Sequence, residues 1–124
     1  MKNEGFTFRK RLESFRYAFN GIKTLLAEPN ARIHSIAAVI AVAAGFLFDL
    51  SSAEWIAVVT VTGAVFTAEA LNTAIERLAD AVSPGYHETI KQVKDLSAAA
   101  VLFISIAAAI TGAIIFLPKL LMFR

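Results

Sequence analysis

Residues 96–117 carry no charged side chain. A run of this length matches the roughly 20 residues that a helix needs to cross a hydrocarbon core of about 30 Å. Lipid offers the backbone no hydrogen-bond partners, so each N–H and C=O in such a run must be satisfied within a helix. Two shorter apolar runs, 33–48 and 53–68, reach spanning length only by including flanking polar residues. Those residues must then face protein, headgroups or a ligand. A hydrophobic content of 57% and a mean hydropathy of +0.64 agree with a membrane protein. With 124 residues there is material for one compact unit.

The segment before the first run is amphipathic. Phe8, Leu12, Phe15, Phe19, Ile22 and Leu26 follow steps of four and three, while Arg9, Lys10, Glu13, Arg16, Asn20 and Lys23 occupy the other faces. A basic helix with a phenylalanine stripe suits the plane of an anionic membrane surface, and the same spacing would fit packing against a neighbouring subunit. The expected fold is therefore all-α: an amphipathic surface helix over 6–27 and three transmembrane helices. The spans are placed at 30–49, at 53–82 with a cytoplasmic extension, and at 89–118 with a cytoplasmic start. All belong to one domain covering 1–124.

Several chemistries are excluded. Cysteine is absent, which removes disulfides, thiolate metal sites and cysteine nucleophiles. A formal net charge of +2 gives no argument for nucleic acid. The N-terminus is amphipathic and lacks the continuous apolar core of a cleavable signal.

The polar residues that remain fall into a pattern. Glu69, Asn72, Glu76 and Asp80 lie within an arc of roughly 80° on one helix, with Leu71, Ile75 and Leu78 on the other side. Like charges in such a stripe repel unless cations occupy it. Carboxylates with water and phosphate oxygens are the ligands Mg²⁺ prefers, so the stripe reads as a metal–nucleotide site at a membrane surface. For Asp80 a plain solvated helix face fits equally well. For Glu69 it fits poorly, because apolar sequence flanks it on both sides.

Glu28-Pro29-Asn30 is a corner, with proline suited to the first turn of the next helix. Glu28 could return to the stripe or remain an exposed corner carboxylate. His34 has no second ligand at metal spacing and reads as interfacial. Ala37, Ala41 and Gly45 recur every four residues, a face that admits close helix approach. Ser51 and Glu54 form a capping box that starts a helix at about Ser52, and Trp55 fits an interfacial anchor. After the 83–87 turn, Lys94 and Asp95 stand just before the third span. There a lysine could neutralise phosphate or simply snorkel to headgroups. Ala98, Ala99, Ser105, Ala109 and Gly112 give that span a small-residue face, and residues 116–119 are expected to close it.

Basic residues set an orientation. Lys2, Arg9, Lys10, Arg11, Arg16, Lys23 and Arg32 precede the first span, the 49–54 connection has none, and Arg77, Lys91 and Lys94 lie between the second and third. The N-terminus and the 79–93 loop are therefore expected in the cytoplasm, with Lys119 and Arg124 mildly opposed. Glu69 then lies roughly 24 Å along its helix from Ala53, just inside the cytoplasmic boundary. A site at that depth could meet a soluble nucleotide and a membrane-embedded alcohol together.

The pattern E-x-x-N-[ST]-x-x-E-x-x-x-D at 69–80, with Lys94-Asp95 beyond it, resembles the small prokaryotic diacylglycerol kinase family, which includes the undecaprenol kinases. The resemblance covers nearly the whole chain. It implies a homotrimer in the prokaryotic plasma (inner) membrane that transfers the γ-phosphoryl of MgATP to a lipid hydroxyl, with Mg²⁺ as cofactor and ATP as co-substrate. It implies Glu69 as catalytic base and Glu28 and Glu76 as metal ligands. Asn72, Lys94 and Asp95 would bind or orient nucleotide phosphates, with Tyr17 and His87 as further nucleotide contacts. Ala98 stands where the family can have serine, at a lipid-substrate position. Residues 28–34, Glu54-Trp55 and 116–119 look more like the undecaprenol kinase branch.

The residues favour direct in-line transfer, since no serine, cysteine or histidine is placed for a phospho-enzyme as clearly as the carboxylates are for a base. A small transporter with a carboxylate relay would be expected to show internal repeats and midplane charges, and neither is present. A non-catalytic scaffold would leave the stripe unexplained. The resemblance implies undecaprenol or diacylglycerol as the lipid acceptor, with undecaprenol favoured. Small residues on the first and third spans leave a shallow groove that suits one methyl-branched chain better than two splayed ones.

Overall fold

The computed structural model describes residues 5–122. Lys2 and Arg124, both used for orientation, lie outside the described residues. Four helices follow one another: α1 (Phe8–Leu26), α2 (Pro29–Leu47), α3 (Ser52–Val82) and α4 (Glu88–Met122). No strand occurs among the described residues. Helices α2, α3 and α4 are each long and apolar enough to cross a membrane.

The punctuation follows local chemistry. Thr7 caps α1, its hydroxyl accepting from the Lys10 N–H. Glu28 is extended and Pro29 opens α2, where its missing N–H costs nothing. Arg32 turns back to donate from Nε to the Leu26 carbonyl, satisfying the end of α1 across the corner. The other end of α2 closes with Asp49 in the left-handed region at φ 54°. Its N–H reaches the Phe46 carbonyl and the Leu50 N–H reaches that of Gly45. These two bonds satisfy carbonyls that would otherwise be orphaned. Ser51 and Glu54 then form the expected capping box.

Helix α3 packs most extensively on α4, with α2 against α3. The apolar core is small: Leu50, Val58 and Ile115, with Ala41, Trp55, Ala57 and Phe116 around them. It sits at the α2–α3 turn end. The opposite end buries Ala31, Glu69, Asn72 and Ser97. Most apolar side chains of the three long helices face outward, including Ile36, Ile40, Val59, Leu102 and Phe103. On α1, Phe8, Leu12, Phe15, Phe19 and Ile22 are exposed.

Two expectations need adjustment. Residues 116–119 do not close the last helix, which continues through Pro118 to Met122. Proline there frees only the end of the helix, and Lys119 from the same turn pairs with Glu54 at 3.2 Å, tying the tail of α4 to the start of α3. Lys119, mildly opposed to the charge bias, is thus neutralised locally. Gly45 is not an open groove wall either. Trp55 lies over it, and a Cβ added there would sit 2.5 Å from the far edge of the indole and 3.1 Å from Leu50. The Trp55 ring also packs on Phe46, with centroids 5.0 Å apart.

Gly45→Ala should therefore overpack the turn end and cost about 1–3 kcal/mol. Reversible unfolding in mixed micelles would measure it. Combining Gly45→Ala with Trp55→Phe should cost less than the two single effects added, because the smaller ring clears the new methyl.

Candidate functional site

Burial falls along the stripe on α3. Glu69 is 2% exposed and Asn72 8%, Glu76 is half-buried, and Asp80 is exposed. Leu71 and Leu78 point outward on the other side. Glu69 is thus the deepest carboxylate, enclosed where α2 and α3 meet.

The group that meets Glu69 is His34. Its Nε2 lies 3.0 Å from Glu69 Oε1 across the α2–α3 contact. That oxygen is fully buried, yet no donor is aligned on it as a hydrogen bond. The sequence reading of His34 as a merely interfacial residue missed this contact. A signal was present: His34 and Glu69 are equidistant from the turn at 51–52, and antiparallel helices bring equidistant residues together.

Ser97 was missed for the same reason. It and Asn72 are equally far from the turn near 84–85, and the Ser97 hydroxyl donates to Asn72 Oδ1 at 2.7 Å in a buried bond. This bond fixes the amide orientation. Asn72 Nδ2 then faces Glu76 Oε1 at 3.4 Å. Ala98, the neighbour of Ser97, is exposed and points away from this network.

Farther out, opposite charges are paired. Arg77 donates to Glu28 at 3.1 Å, so the corner does return to the helix of the stripe. Lys94 meets Asp80 at 2.7 Å, and Lys91 meets Asp95 at 2.7 Å. Tyr17 and His87 are exposed, and neither side chain is brought to the stripe. Near His87, the Tyr86 hydroxyl donates to Glu88, and that carboxylate pushes the phenol pKa above its usual value.

Beneath Glu69 the three long helices enclose a cleft of about 290 Å³. His34 stands at its head, Ala37, Ala41, Ala109 and Gly112 form small-residue walls, and Phe116 lies at the far end. Four of the expected groove residues therefore line it, whereas Gly45, Ala98 and Ala99 do not. The Ser105 hydroxyl oxygen is buried and unpartnered in a largely apolar wall that also carries Thr62 and Thr111.

Among the described residues no cluster of three histidine or carboxylate side chains could cage a metal ion by itself. Mg²⁺ keeps waters and takes only one or two carboxylates when phosphate oxygens carry it, so such an ion needs no three-residue cage. Glu28 pairs with Arg77 and Glu76 faces Asn72.

A family model described as prokaryotic diacylglycerol kinase matches residues 16–116, a span that holds the corner, the stripe and Lys94-Asp95. The chain belongs to that family. It is a lipid kinase of the prokaryotic diacylglycerol kinase family, and its relatives carry two names. An undecaprenol kinase of Bacillus subtilis is 39% identical over 87% of this chain and 89% of its own length. A diacylglycerol kinase of Synechocystis is 42% identical over 89% of this chain and 64% of its own length. The diacylglycerol kinase of Escherichia coli K12 is 28% identical over 93% of this chain and 95% of its own length. Neither the family nor these names decide which lipid this chain phosphorylates.

Proposed function

We propose that this lipid kinase transfers the γ-phosphoryl of MgATP to the hydroxyl of a membrane lipid alcohol, with undecaprenol favoured over diacylglycerol. The observation that carries the proposal is Glu69: a deeply buried carboxylate set against His34, the residue at the head of an apolar cleft. A desolvated carboxylate at that place is a general base for an alcohol whose chain lies in the cleft.

Glu69 takes the proton of the acceptor hydroxyl as the oxygen attacks the γ-phosphorus. The new O–P bond forms as the bond to the ADP oxygen breaks, so the proton ends on Glu69 and the electron pair on ADP. Lys94 offsets charge on the transferring group, while Asn72 and Asp95 orient the phosphates. Glu28 and Glu76 would hold Mg²⁺, which supplies charge neutralisation at the phosphates when bound. Tyr17 and His87 complete the nucleotide contacts from exposed positions, and Ala98, which does not line the cleft, leaves the lipid no polar contact at that position. The protein acts as a homotrimer in a prokaryotic plasma membrane, with the N-terminus cytoplasmic and α1 on the bilayer surface.

Undecaprenol is favoured because the cleft is a single apolar space, with alanines and a glycine among its α2 and α4 lining and valines on α3, which suits one methyl-branched chain better than two. The undecaprenol kinase relative, aligned across most of both chains, supports the same choice. With labelled ATP and both lipids in mixed micelles, undecaprenol should show the higher kcat/KM. A preference for diacylglycerol would refute the lipid choice and leave the kinase mechanism standing.

Glu69→Gln should keep nucleotide binding and lose about 10²–10⁴-fold in turnover, the range for a removed general base. Glu76→Gln should weaken MgATP binding instead, with partial recovery at high Mg²⁺. Equal loss of binding in both variants would end this division of labour.

Orientation is tested separately. The chain has no native cysteine. Cysteines at Ser52 and Ser83 should therefore be the sole targets of a membrane-impermeant thiol reagent, and they should react from opposite sides. Labelling from one side would overturn the placement of Glu69 near the cytoplasmic boundary.

A further inference from the structure

Glu69 needs more than burial to act as a base: its carboxylate must be aimed. The side chain that meets it comes from a different helix. His34 stands on α2, only 24% exposed, with Nε2 3.0 Å from Glu69 Oε1. The contact is close in distance but not aligned as a hydrogen bond. A modest turn of the imidazole would align it. Hydrogen bonds at active sites are often loose before substrate arrives and tighten in the complex. His34 also lines the head of the cleft, so an incoming chain would press against the ring that must turn. Its helix is held firmly at this point. Ala31, one turn earlier, is fully buried, and the Ser35 hydroxyl is spent on the Ala31 carbonyl. His34 is thus the polar group left free on that face of α2 to serve Glu69.

We propose that His34 is a positioning residue: its Nε2–H holds one oxygen of Glu69 and so presents the other oxygen to the acceptor hydroxyl. The inference rests on the reading of Glu69 as general base. His34 carries no proton onward and touches no reacting atom. It removes the rotational freedom of the carboxylate, and a misaimed catalytic group can cost about 10²-fold in rate.

The test uses full-length protein in mixed micelles, with MgATP and a lipid alcohol, and compares His34→Ala with His34→Gln. His34→Ala should lower kcat by about 10–10²-fold while leaving KM for MgATP unchanged. His34→Gln should recover most of that loss, because its amide N–H can reach the same oxygen. In a Glu69→Gln background, His34→Ala should cost almost nothing further, since residues that act as a unit are not additive. The proposal is overturned if His34→Ala leaves kcat intact and changes only KM for the lipid. It is equally overturned if His34→Gln fails to recover kcat at wild-type thermal stability, or if the loss multiplies fully on top of Glu69→Gln. Full turnover in Glu69→Gln alone would instead overturn the general-base reading, so the two failures are distinguishable.

Discussion

Taking a carboxylate out of water is the most expensive thing this chain does. Desolvating such a group costs several kcal/mol even after relaxation. Glu69 is nonetheless 2% exposed, on a helix whose preceding turns are apolar. The arrangement around it follows from that cost. Small residues let the helices close over it, with Ala31 fully buried nearby on α2 and Ser97 and Asn72 bonded together on the next turn toward α4. A purely structural position would be filled better by leucine. An ionisable group kept in this setting points to use, which is why the proposed chemistry is assigned to Glu69 and not to the exposed Asp80.

Around this fixed group the outer charges are held loosely, and the contrast matters. Glu28, Lys94 and Asp95 each have a partner of opposite sign: Arg77, Asp80 and Lys91. These pairs are largely solvated, and such ion pairs contribute only about 0–1 kcal/mol. On the proposed reading, a magnesium nucleotide would bring both signs at once. It would take Lys94 from Asp80 with its phosphates and draw Glu28 away from Arg77 with its cation, at little cost for the broken pairs. The pairs also keep Glu28 and Asp95 from standing as bare negative charge when no nucleotide is bound. On that reading the deep carboxylate is set in advance, while the proposed nucleotide ligands would be assembled by exchange.

Periodicity made the helices, the stripe and the proline corner legible, because each is a local property of a few consecutive residues. The capping box at Ser51 and Glu54 was legible for the same reason. What escaped were contacts between helices. His34 and Ser97 look unremarkable on their own helices. Their roles come from the two hairpin turns that set each opposite a polar residue on α3. Gly45 shows the two uses of a small residue: the close approach expected of its rhythm with Ala37 and Ala41 occurs, with Trp55 from the next helix in the space, and so it does not line the cleft. Pro118 likewise reads as a terminator, yet the Lys119–Glu54 pair belongs to a helix that runs on.

The proposed oligomer draws support from residues outside the site. Leu71 and Leu78 are 59% and 65% exposed, and Val82 is 67% exposed. If Glu69 lies just inside the cytoplasmic boundary, Leu78 stands nine residues farther along, roughly 13 Å at the rise of an α-helix, beyond the hydrocarbon. Lipid cannot cover it there, and water would be a poor neighbour. If α1 lies on the bilayer surface as proposed, an adjacent copy would present at that level its stripe of exposed Phe15, Phe19 and Ile22. Packing that stripe on Leu71 and Leu78 would cover both apolar faces at once.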